Sequence, residues 1–74
     1  MIELNREAVL AALQQRYHVT LAETVSAKAH YFTLKDDCDV SAVALERAYL
    51  RWKDLDARRR SLAVRVASLQ RLAS

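Results

Sequence analysis

The amino-acid sequence predicts an all-α fold with few connections. The 74 residues include no glycine and no proline, the two residues that most turn types favour. Alanine and leucine, with 13 and 11 copies, are strong helix formers and dominate the composition. A β-rich chain of this size would need several turns, so helices joined by one short connection are the simplest prediction. The length allows one small domain, which we expect to span residues 1–74.

The first helical arm is predicted over about residues 5–35, with Asn5 as the N-cap of a helix that begins at Arg6. One interpretation is a single continuous or kinked helix, because no glycine or proline forces a stop. The other is a break at residues 17–20, since Thr20 and Glu23 have the spacing of a capping box that could start a second helix. Short strands at 17–21 and 30–34 are minor alternatives. For the continuous helix, the predicted inward face comprises Leu10, Leu13, Tyr17, Leu21, Val25, Lys28 and Phe32.

The connection is predicted at residues 36–39, where three aspartates surround Cys38. Aspartate favours turns and caps because its side chain competes for backbone hydrogen bonds. Asp39 is the expected N-cap of the second helix, with Ser41 as the alternative. Because the loop lies near the middle of the chain, the prediction is a long antiparallel helical hairpin.

The second arm, over about residues 40–73, carries a regular apolar pattern. Alternating steps of four and three select ten positions, nine of them apolar or small, which is typical of a coiled-coil seam. These positions are Ser41, Leu45, Ala48, Trp52, Leu55, Arg59, Leu62, Val66, Leu69 and Ala73. Arg59 either snorkels out at the edge of the seam or acts as a register device. Trp52 is expected to be a packing anchor.

A hairpin of this size has more apolar surface than it can bury alone. A further stripe, here called the outer stripe, recurs every seven residues at Val43, Leu50, Ala57 and Val64, on the side away from the seam. We therefore expect an antiparallel four-helix bundle of two chains, or capture of an amphipathic helix from a partner protein. The predicted interface comprises Leu45, Trp52, Leu55, Leu62, Val66 and Leu69 of the seam, with Val43, Leu50 and Val64 of the outer stripe. Substitution of Trp52 by alanine is expected to impair assembly and to leave the helix content mostly intact.

The positive charge is concentrated in the second arm. Residues 1–37 have 4 basic and 5 acidic side chains, whereas residues 38–74 have 8 and 4. The main interpretation is a set of flanking charges that favour the helix C-terminus and select the partner. The alternative is a small dimeric RNA-binding regulator, although no helix-turn-helix, zinc-finger or RRM signature is present. Its predicted anion-binding residues are Arg51, Arg58, Arg59, Arg60 and Arg65.

The sequence offers no catalytic constellation, and we expect no enzyme activity, cofactor, metal or small-molecule substrate. Phosphate-binding loops need glycines, and Cys38 has no partner for a disulfide. His30 could gather with Cys38 and the loop aspartates around a metal, but the spacing matches no ligand motif. No apolar run approaches 18 residues and no signal peptide is visible, so a cytoplasmic protein is expected.

Residues 48–58 (AYLRWKDLDAR), together with the short acidic connection, resemble the aromatic-rich second helix and the layout of the Rop-like small helical-hairpin proteins. The resemblance covers about a quarter of the chain, has low specificity and is architectural. It implies two helices and a dimer, and one member of that group binds paired RNA loops as a dimer; no RNA-contact residue is carried over. A similar layout occurs in small helical secretion chaperones. The leading prediction is a non-catalytic protein-interaction module that serves as an adaptor, chaperone or regulator.

Overall fold

The computed structural model describes residues 5–73, and the side chains of residues 6–72. Two helices, α1 (Asn5–Lys35) and α2 (Ala42–Ala73), pack against each other as a hairpin. At the open end, the Arg6 guanidinium donates a hydrogen bond to the Leu72 carbonyl oxygen, with Nη1 and O separated by 3.4 Å. The helices are therefore antiparallel. The all-α prediction is confirmed, since residues 5–73 contain no strand.

Helix α1 runs without a break through residues 17–20. The predictions of a second helix starting at Thr20 and of strands at 17–21 and 30–34 are wrong. The hydroxyl of Thr24 donates a hydrogen bond of 2.7 Å to the Thr20 carbonyl oxygen, and both threonines are buried. Packing against α2 outweighs their weak helix propensity. The predicted cap by the Asn5 side chain lies outside the described side chains.

The turn at residues 36–41 is closed by hydrogen bonds at both ends. The Asp36 amide donates to the Phe32 carbonyl oxygen at 3.2 Å, which ends α1. The Asp39 amide donates to Asp37 Oδ1 at 2.9 Å, so the aspartates act within the turn. No described residue of the turn has a positive φ, so the turn does not require glycine.

Helix α2 begins at Ala42, two residues later than predicted. The Ala44 amide donates to Ser41 Oγ at 3.1 Å, the geometry of an N-cap. The N-cap is therefore Ser41, and the prediction of Asp39 is wrong. The Asp39 amide instead donates to Asp37 within the turn.

Helix α2 turns its predicted seam toward α1. Ala48, Leu55 and Leu62 are buried. Leu45, Trp52, Arg59, Val66 and Leu69 are half-buried. This alternation of steps of three and four continues without interruption along the helix.

The inward face of α1 differs from the prediction beyond Tyr17. It comprises Leu10, Leu13, Tyr17, Thr20, Thr24, Ala27, Tyr31 and Leu34. Val25, Lys28 and Phe32 are exposed, and their predicted inward placement is wrong; Leu21 is half-buried beside the inward face. The inward residues of α2 are spaced alternately three and four positions apart. The inward residues of α1 need the same spacing for the two helices to stay in contact along their length.

The core between the two helices is thin. Its buried hydrophobic residues are Ala27, Ala48, Leu55 and Leu62, and its buried polar residues are Thr20 and Thr24. Two of the four buried apolar side chains are alanines, and no described side chain is less than 2% exposed. The hairpin thus protects little apolar volume from water by itself.

Candidate interaction surfaces

Four aromatic side chains join the helices near the turn. The Trp52 ring centroid lies 5.6 Å from that of Tyr31, 5.7 Å from Phe32 and 6.0 Å from Tyr49. Tyr31 and Tyr49 are 5.5 Å apart across the two helices. These separations are typical of favourable tilted and edge-to-face contacts. Trp52 is therefore an anchor within the chain, which leaves only part of its ring for a partner.

Lysines surround this aromatic cluster. Lys53 Nζ lies 4.3 Å from the Trp52 ring centroid, and Lys28 Nζ lies 5.8 Å from it on the α1 side. Lys35 Nζ is 5.8 Å from the Phe32 ring. An ammonium over an indole face gains electrostatic energy from the ring quadrupole. Lys28 is exposed and reaches Trp52 of α2 from the flank of α1. This contact depends on the pairing of the helices and could not be predicted from neighbouring residues in the sequence.

Arg59 is held at the edge of the seam by Asp56. Arg59 Nε and Nη2 both donate to Asp56 Oδ1, at 3.1 and 2.9 Å. The hydrogen bond from Arg59 lowers the pKa of Asp56 from its ordinary value of 3.8, and the charge of Arg60 adds to this effect. The hydrogen bond to Asp56 raises the pKa of Arg59. Arg59 thus occupies a seam position, with its guanidinium held by a carboxylate of the same helix.

The predicted anion-binding arginines do not form one surface. Arg60 Nη2 lies 2.8 Å from Asp56 Oδ2, so Arg59 and Arg60 share one carboxylate. Arg58 pairs with Asp54 at 3.0 Å, where both side chains are exposed. An anion would have to compete with Asp56 for two of the five predicted residues.

The structure instead builds a groove from both helices, here called the arginine groove. It is lined by Arg16, Thr20, Arg58, Ser61, Leu62 and Arg65. Arg16 comes from α1 and was not predicted, because its approach to Arg58 and Arg65 depends on the pairing of the helices. Arg51 lines a neighbouring groove together with Glu23 and His30, so its charge is partly offset there. Among the residues that the structure describes, none that lines the arginine groove is acidic, although Arg58 is paired with Asp54.

The predicted interface residues fall into two groups. Leu45, Leu55, Leu62, Val66 and Leu69 pack against α1 of the same chain and offer little surface to a partner. Val43, Leu50 and Val64 of the outer stripe are exposed. The remaining large hydrophobic side chains that are exposed among the described residues are Val9, Val19, Val25, Phe32, Tyr49 and Leu72.

The side of α1 that faces away from α2 is defined here as the α1 outer face. It comprises twelve exposed residues: Ala8, Ala11, Ala12, Gln15, His18, Val19, Ala22, Val25, Ser26, Ala29, Phe32 and Thr33. Eight of the twelve are apolar, and none is an aspartate, glutamate, lysine or arginine.

Within residues 5–73, no group of three histidine, cysteine, aspartate or glutamate side chains is arranged to hold a metal ion. His30, Cys38 and the loop aspartates are therefore not gathered into such a group, and Cys38 is exposed at the turn. Neither described helix has an apolar stretch of the length needed to cross a membrane.

Comparison of the chain with known protein families, with curated proteins and with solved structures finds no match. The structure is consistent with a small helical-hairpin architecture, and no match supports the resemblance to Rop-like proteins. Functional inference rests on the surfaces described above.

Proposed function

We propose that this protein is a non-catalytic protein-interaction module that self-associates, with two hairpins pairing into a four-helix bundle. The observation that carries the proposal is the amount of surface that the hairpin leaves accessible. The chain exposes 5725 Å², whereas a compact monomer of 8.4 kDa is expected to expose about 4600 Å². The excess of about 1100 Å² exceeds the roughly 800 Å² per partner of a standard interface.

The thin core supports the same proposal. The buried apolar residues, two alanines and two leucines, leave larger side chains such as Val25, Leu50 and Val64 in water. A chain of this size needs an additional source of stability, and oligomerisation is one of the usual sources. Capture of an amphipathic helix from another protein would cover the same surface, and it is the alternative that the following experiment separates from self-association.

The experiment is light scattering with circular dichroism over a dilution series from millimolar to low micromolar chain. We expect a helical species with twice the chain mass of 8.4 kDa, and loss of helix content as it dissociates. A loosely folded monomer that becomes ordered only with an added partner helix would favour capture. A well-folded monomer at every concentration would contradict the proposal.

A second candidate function, binding of a nucleic-acid backbone, is favoured by the arginine groove. Arg16 from α1 and Arg58 and Arg65 from α2 line one groove, beside the hydroxyl groups of Thr20 and Ser61. Guanidinium groups bind phosphate in a bidentate manner, and hydroxyl groups can donate to the remaining oxygens. The formal net charge of +3 favours approach to a polyanion.

The test is the affinity for labelled RNA and DNA as a function of salt concentration. Arg16→Gln and Arg65→Gln should each weaken binding and reduce the salt slope by about one. Arg60→Gln is the matched control, because Arg60 pairs with Asp56 and does not line the groove. If RNA and DNA do not bind at low salt, or if all three variants behave alike, the groove is not a nucleic-acid site.

A further inference from the structure

The two helices present different outer faces to solvent. On α2, the twelve exposed residues that face away from α1 between positions 43 and 68 include Glu46, Arg47, Lys53, Asp54 and Arg60. The twelve residues of the α1 outer face include no such charge. On α1 the charged side chains between residues 8 and 33, Arg16, Glu23 and Lys28, all lie on the flanks. A long exposed helix face without charge is unusual, because charged residues are the normal covering of a solvated helix.

We infer that the second copy of the chain docks on the α1 outer face, so that α1 packs against α1 of the partner. This inference rests on the proposed self-association and adds which surface it uses. A twofold dimer needs a face that is complementary to itself. The α1 outer face meets this need because it brings no like charges together across the axis.

The size of the face supports a second copy as the occupant. From residue 8 to residue 33 it extends about 37 Å along the helix. Its five alanines allow another helix to approach closely, and Val19, Val25 and Phe32 supply side chains that can interdigitate. Phe32 also contacts Trp52, so the face continues into the aromatic cluster at the turn.

Pairing through α2 would be less favourable. The outer stripe is a single row, with Leu50 and Val64 flanked by charged residues such as Lys53 and Arg60. Two copies that met through α2 would have to remove several of these charges from water, and desolvation of charge opposes association. The structure therefore favours α1 over the outer stripe that the sequence suggested.

The experiment compares Val25→Glu with Val64→Glu by analytical ultracentrifugation of the full chain. Val25 on α1 and Val64 on α2 are 60% and 65% exposed, so the same substitution is made at matched sites outside the inward faces. Val25→Glu should raise the dimer dissociation constant by about a hundredfold or more, because each dimer loses two buried valines and gains two carboxylates. Val64→Glu should remain within about threefold of the wild type, as expected for an exposed surface change.

Each outcome decides the inference. If Val64→Glu dissociates the dimer, or if Val25→Glu does not, the α1 outer face is not the interface, although self-association stands. If the wild type is a well-folded monomer at every concentration, the proposed function fails as well. Ala29→Glu on α1 and Ala57→Glu on α2 form a second matched pair, which applies if Val25→Glu does not fold.

Discussion

Replacing Leu62 by alanine tests whether the inward faces hold the hairpin together. Leu62 is 7% exposed, on the inward face of α2. Leucine-to-alanine substitutions at buried sites cost about 2–5 kcal/mol, and the cost is lower where neighbouring groups or water can fill the space. Because the core here is thin, we expect a loss of about 2–3 kcal/mol in the free energy of unfolding. The total free energy of unfolding of a chain of this length is about 4–11 kcal/mol, so the expected loss is a large share of that total.

The assay is urea unfolding followed by far-ultraviolet circular dichroism. Leu72→Ala is the matched control, because Leu72 lies on the same helix and is 66% exposed. It should change the free energy by less than about 0.5 kcal/mol. All proteins are compared at one chain concentration, since self-association would couple stability to concentration. If Leu62→Ala is as mild as Leu72→Ala, the assignment of the α2 inward face is refuted.

Two further predictions concern Trp52 of the aromatic cluster and Asp56, which holds Arg59 at the edge of the seam. Trp52→Ala should lower the free energy of unfolding by about 1.5–2.5 kcal/mol, about half the cost at a fully buried site, with little change in helix content; an unchanged urea midpoint would show that the aromatic cluster does not stabilise the hairpin. Because the pKa of Asp56 is lowered in the folded state, its ionised carboxylate raises the free energy of unfolding. This stabilisation is fully present above the ordinary pKa of 3.8 and is lost as the pH falls through the lower folded-state pKa. The stability difference between the wild type and Asp56→Asn should therefore shrink on acidification, and Asp54→Asn, at an exposed pair with Arg58, is the control; a difference that does not depend on pH would contradict the ion-pair explanation.

The helical hairpin and the seam of α2 were predictable because they depend on local information. The absence of glycine and proline excludes most turns, and the loop aspartates identify the connection. Large residues such as Trp52, Leu55 and Leu62 recur at steps of three and four, so the hydrophobic pattern alone identifies the face. The N-cap is Ser41 rather than the predicted Asp39, so α2 starts two residues later than predicted, and its inward face is the predicted one.

The register of α1 was not predictable from its own residues. Leu21, Val25 and Phe32 are more hydrophobic than Thr20, Thr24 and Ala27, so a pattern based on hydrophobicity selects the former. The structure buries Thr20, Thr24 and Ala27 because the inward face of α1 must match the regular spacing of the inward residues on α2. The Thr24 hydroxyl is satisfied by the Thr20 carbonyl oxygen, so its burial does not leave an unpaired polar group.

The correction to α1 also explains why the candidate surfaces could not be recognised from the sequence. Once Thr20 and Thr24 face inward, Val25 and Phe32 move outward and join the alanines in an uncharged face. The inward position of Thr20 also places it beside Arg16, in one groove with Arg58 and Arg65. The set of α1 residues that faces α2 therefore determines the composition of both the α1 outer face and the arginine groove. A different inward set would place different residues on the outside of the helix. The comparison of Val25→Glu with Val64→Glu therefore tests the register of α1 and the position of the interface together.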